Sequence, residues 1–140
     1  MQPPEPWAAL LDNLGSIECE EHILLLGRDG PDLMCALVRA GAPQVTHLRS
    51  YERLEADIAS LVIVPHVSSL DLLENALSPI HRALFANGRL AVCVDPLPIM
   101  PDRVRRMLAL HGFTAISVSR SANLHVVSAE VPAFNLRRHG

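Results

Sequence analysis

The side chains able to do chemistry cluster in four short segments. Gly27-Arg28-Asp29-Gly30 follows a continuous apolar run and precedes Pro31, so two glycines stand where a strand turns into a helix. Glycines there let backbone N–H groups face a ligand, although a tight strand-to-helix turn needs glycine for geometry alone. Pro65-His66-Val67-Ser68-Ser69 follows a second apolar run. His66 is well placed as an acid or base because imidazole titrates near neutrality, and a structural histidine suits the same loop. Asp95, after a third run, can be a catalyst or a turn residue. Arg49 ends a more polar strand-like segment, where a guanidinium can meet a ribose 2′-phosphate or can cap the edge of a sheet. The GxGxxG pyrophosphate motif that would accompany the first role is absent. Histidines 22, 47, 66, 81, 111 and 125 show no HxH or HExxH spacing, and Cys19, Cys35 and Cys93 form no CxxC, so no metal site is assigned.

Other chemistries are excluded by composition. All 12 basic residues are arginines, which removes Schiff-base catalysis and a phosphate loop with its usual lysine. Three cysteines cannot all pair; Cys35 and Cys93 fall in apolar segments and are expected to be small buried hydrophobes. Residues 1–60 carry ten acids and four arginines, and residues 61–140 five acids and eight arginines, for a total of -3. Neither half has the dense basic field of a protein that binds nucleic acid or an anionic membrane. Met1-Gln2-Pro3-Pro4-Glu5-Pro6 does not read as a signal peptide, and no apolar run approaches the ~18–20 residues that cross a bilayer. A soluble, cytoplasmic protein is the expectation.

The elements that must position these residues follow from periodicity. With 140 residues and 49% hydrophobic content, one domain with one sizeable core is expected over 1–140, with a proline-rich lead-in at 1–6 and a flexible tail at 135–140. Trp7, Leu10, Leu11 and Leu14 have helical spacing. His22 to Leu26 reads as a strand buried on both faces. Pro31 opens a helix with Leu33, Met34, Leu37 and Val38 inward, and Gly41 ends it. Gln44 to Leu48 is a second strand, after which Ser50 caps a short helix with Leu54 and Ile58 inside. Leu61 to Val64 is a third strand. Ser68 or Ser69 caps a helix running to about Phe85, which Pro79 should bend or split. Asn87-Gly88 turns into the strand Leu90 to Val94, and Pro101 opens a helix closed by Gly112. Thr114 to Val118 and His125 to Val131 form a terminal hairpin. Alternating strands and helices predict an α/β fold of three layers, with a mostly parallel sheet and one antiparallel strand.

In this order the chain resembles the class I S-adenosylmethionine-dependent methyltransferases over roughly residues 7–134. "HILLLGRDGPDL" is similar to that family's first strand and glycine-rich cofactor loop. "SLVIVPHVSSLDLLENALSPIHRALFANGRLAVCV" resembles its fourth strand, following helix and fifth strand. "VRRMLALHGFTAISV" is similar to its late helix and sixth strand, and "HVVSAEVP" to its antiparallel seventh. The resemblance implies a Rossmann-like methyltransferase fold and cofactor contacts from Gly27, Asp29, Gly30, Arg49 and Pro65, with His66 as the candidate catalytic group.

The chain departs from the family where the cofactor is held. Leu25 stands where an acidic residue is usual, Asp29 and Pro31 replace later loop glycines, and Ser60 replaces an acid before strand four. Arg49 matches the acid that holds the ribose diol, and an arginine has no acceptor atom. The stretch from Arg49 to Leu61 is too short for the family's third strand and its helix, so the sheet is expected in the order 2-1-4-5-7-6 with strand three missing. Each lost charge-assisted bond costs about 1.5–3 kcal/mol, more than tenfold in affinity. The expectation is therefore a non-catalytic or weakly cofactor-binding domain, with S-adenosylmethionine bound weakly or not at all, acting through protein contacts. The alternative is an active methyltransferase on a small molecule. Loss of strand three leaves strand two at an edge and should uncover apolar residues on segments 33–38 and 54–58, which predicts a homodimer or a protein partner there.

Overall fold

The computed structural model describes residues 8–15, 21–27, 30–42, 44–51, 54–67, 69–94, 101–120 and 124–132. Ten elements follow in order: α1 (Ala8–Leu14), β1 (His22–Leu26), α2 (Gly30–Arg39), β2 (Gln44–Leu48), β3 (Ala59–Val64), α3 (Leu70–Ala83), β4 (Leu84–Val94), α4 (Pro101–Leu110), β5 (Thr114–Arg120) and β6 (His125–Glu130). One six-stranded sheet has the order β2-β1-β3-β4-β6-β5. The first four strands are parallel, and β6 runs antiparallel to both β4 and β5. This is the expected order without a third family strand.

Apolar runs become central strands because alternate side chains serve two cores. Ile23 and Leu25 of β1, with Leu61 and Ile63 of β3, join Leu10 and Leu14 of α1 and Leu33 and Leu37 of α2 on one face. Leu24 and Leu26, with Val62, Leu90 and Val92, join Leu77 and Ile80 of α3 and Val104 and Leu108 of α4 on the other. Each fully buried aliphatic side chain stabilises the fold by about 1.5–3 kcal/mol, so a strand apolar on both sides is favourable only between two helical layers. No described helix is long and apolar enough to cross a membrane.

Several local expectations are corrected. The short helix after Ser50 is not formed over the described residues of that stretch. Asp57 has φ 52, and the N–H groups of Asp57 and Ile58 donate to the carbonyls of Arg82 (3.0 Å) and Ala83 (2.8 Å). Those carbonyls end α3 and lack helical partners, so tertiary bonds there displace a local helix. Leu54 is buried without it. Cys93 is buried as expected, whereas Cys35 is exposed, on the outer stripe of α2 with Val38. The anticipated apolar patch is also smaller: Leu33, Leu37 and Leu54 are buried, leaving Val38 exposed.

Helix α3 runs unbroken through Pro79 and ends at Ala83, with Ser69 as its N-cap accepting from Leu72 N–H. Strand β4 begins at Leu84, earlier than expected, and absorbs the Asn87-Gly88 turn as an irregularity: Ala59 pairs with Leu84, and Leu61 already with Arg89. Asn87 takes φ 65 there, and a Cβ on Gly88 would lie 2.7 Å from the Phe85 carbonyl oxygen.

Candidate functional site

In an open α/β sheet a ligand sits beyond the carboxyl ends of the strands, where the strand order reverses. Here that point lies between β1 and β3, because the chain leaves β1 for β2 on one side and returns to β3 on the other. Leu26 pairs with Leu48, and Leu25 with Ile63, so the ends of β1, β2 and β3 come level.

Gly27 follows β1 with φ 125, a backbone conformation that L side chains rarely adopt. Its N–H donates to the Leu48 carbonyl at 2.9 Å, and its own carbonyl accepts from His47 Nε2. The carbonyl can only accept, which places the imidazole proton on Nε2. These two bonds fix the turn against the end of β2 and set Arg49 beside it. Arg49 is exposed and makes no hydrogen bond or ion pair with any described residue. Past β3, Pro65 is buried and His66 exposed, and Val67 returns to the core. Gly30 is the first residue of α2. Asp29 and Asp95 lie outside the described residues.

Of the predicted residues, Gly27, Gly30, Arg49, Pro65 and His66 follow strands at one edge of the sheet, and among these described residues geometry alone identifies no acid-base pair. Leu25 is 0% exposed, committed to the core beneath α2, so it faces no ligand. Among the described residues, those directly following the three strands, Gly27, Arg49–Tyr51 and Pro65–Val67, include no carboxylate. No group of three His, Cys, Asp or Glu side chains that could hold a metal ion occurs among them either.

Two features of the edge were not legible in the residues. His47 locks Gly27 through a cross-strand register, Leu25 against His47, that no motif encodes. His125 opens β6 opposite Val94, and its buried Nδ1 has no hydrogen-bond partner.

A cavity of about 150 Å³ lies at the opposite edge, lined by Asn13, Arg89, Ser117, Ser128 and Glu130 among others. The Arg89 guanidinium donates to the Leu14 carbonyl (2.8 Å) and pairs with Glu21 (3.1 Å). That arginine ties α1 to the sheet.

No family model matches the chain, and no curated protein matches it by sequence. Solved structures do match. An S-adenosylmethionine-dependent methyltransferase from Mesorhizobium loti superposes with TM-score 0.71 at 12% identity, covering 90% of this chain and 98% of that one. The 1,6-didemethyltoxoflavin-N1-methyltransferase of Burkholderia thailandensis, solved with 1,6-didemethyltoxoflavin and S-adenosylhomocysteine, gives 0.62 at 14% identity, covering 91% and 76%. Phosphoethanolamine N-methyltransferase 2 of Haemonchus contortus, in complex with S-adenosyl-L-methionine, gives 0.64 at 11% identity and 91% coverage, and this chain spans 52% of its length. At these identities the likeness concerns architecture. The chain has the Rossmann-like fold of the class I S-adenosylmethionine-dependent methyltransferases.

Proposed function

We propose that this chain is a methyltransferase-fold domain whose methyl-donor site is weakened or lost, and that it works through protein contacts. The observation that carries this reading is the described carboxyl edge, where an unpaired Arg49 and a buried Leu25 replace acceptors for a cofactor's hydroxyl and ammonium groups. What remains to hold a donor is the backbone at Gly27 and around Pro65–His66. The contact surface is the outer side of β2, an edge strand whose free backbone groups suit a homodimer or a protein partner. His47 supports an open edge, since its ring turns toward Gly27.

The second reading is an active methyltransferase on a small molecule, with His66 as acid or base. It is favoured by the positive-φ glycine turn at Gly27 directly after β1, and by the Mesorhizobium loti methyltransferase being nearly coextensive with this chain. Titration calorimetry with S-adenosylmethionine separates the two. Weak or absent binding supports the first reading, and a tight complex the second.

A further inference from the structure

We propose that the cavity at the amino edge of the parallel strands binds a primary ammonium ion, the charged head of a small amine, with Glu130 as its counter-ion. Val126 of β6 packs in the α1-side core, and strand alternation places Ser128 and Glu130 on that same face. Arg89 stands directly opposite Glu130 in the β4–β6 ladder, and Asn13 comes from α1, which packs on this face. All four line one cavity of about 150 Å³. That is room for about five waters at ~30 Å³ each, which suits a head group of a few atoms.

The cavity wall has an excess of negative charge and of acceptors. The Arg89 guanidinium is already committed, to the Leu14 carbonyl at 2.8 Å and to Glu21 at 3.1 Å, so its charge is offset within the protein. The half-buried Glu130 carboxylate makes no hydrogen bond or ion pair with a described residue, and neither does the half-buried Asn13 amide. Ser117 and Ser128 bond each other through their Oγ atoms at 2.7 Å, which leaves lone pairs on both. A carboxylate partly withdrawn from water without a partner carries a cost that a cation placed against it offsets. An ammonium has three N–H donors and no acceptor, so carboxylate, amide carbonyl and hydroxyl oxygens all complement it. An anion would meet Glu130 instead. Strain marks the same spot. Ala115, which also lines the cavity, has φ 50, and β5 slips register against β6 between Thr114 and Ser117. Such departures from a regular ladder collect at ligand sites. The cavity is at the opposite edge from Gly27 and at the opposite side of the sheet from β2, so its ligand is independent of the proposed function.

The test is titration of the full chain with propylammonium chloride, 1-propanol and tetramethylammonium chloride at constant ionic strength, followed by NMR of the backbone and Asn13 side-chain amides. Propylammonium is expected to shift Asn13, Ser117, Ser128 and Glu130 saturably. It should bind about tenfold or more tighter than the alcohol, which lacks the charge, and than tetramethylammonium, which lacks the donors. Glu130→Gln should weaken that binding about tenfold or more with the melting temperature unchanged, because Glu21 still holds Arg89. Asn13→Ala, which leaves the sheet untouched, should weaken it about threefold. The proposal is overturned if no saturable shift occurs, if the shifts map elsewhere, if either control ligand binds as tightly, or if both variants keep the full affinity.

Discussion

Gly27 and Cys93 show how single residues constrain this edge and the core behind it. Nothing lies within 4 Å of a Cβ built on Gly27, so the demand for glycine comes from its φ of 125 alone. Gly27→Ala should destabilise the fold by about 1–2 kcal/mol in urea unfolding without a packing change. Gly88→Ala should cost more, because its Cβ meets a backbone oxygen that cannot swing aside. Burial pushes the Cys93 thiol up to about 12 from 9.0. The native state then keeps its proton where the unfolded chain loses it. The thiol's contribution is therefore complete below about pH 9 and is lost as pH rises towards about 12. Cys93→Ala should flatten that alkaline decline in a stability–pH series. In the parent, Cys93 should resist alkylation until unfolding, whereas exposed Cys35 reacts at once.

At the scale of elements, strands were easier to read than the segments between them. Runs such as Leu61 to Val64 admit few structures besides a strand covered on both sides, and β1, β3 and the later part of β4 form as expected. The stretch around Leu54 misled because its apolar spacing fits a helix, while its backbone bonds the end of α3 instead. Cys35 misled for a related reason: an apolar neighbourhood in sequence includes the outer stripe of an amphipathic helix. At the site, Gly27 and Arg49 were visible as residue types, but their coupling through His47 depends on the β1–β2 register, which is a tertiary property. The Ser69 cap was foreseen as one of two serines; Ser69→Ala should cost about 0.5–1 kcal/mol in thermal unfolding, at the lower end because its bond to Leu72 is 3.4 Å long.

For the whole molecule, the missing third family strand leaves β2 at one edge of the sheet, with β5 at the other. Val45 packs partly against the α2-side core, so the exposed Thr46 is the better probe of that edge. Light scattering is expected to find a dimer at micromolar concentration, or a monomer that captures a partner, and Thr46→Lys should abolish the association without changing the fold. Association unaffected by this charge would place the contact elsewhere. The central claim, that the fold persists while the donor site has weakened, is tested most directly by titrating S-adenosylmethionine into the full chain. The account predicts a dissociation constant above about 100 μM or no binding, and a constant in the low micromolar range, about tenfold or more tighter, would contradict it.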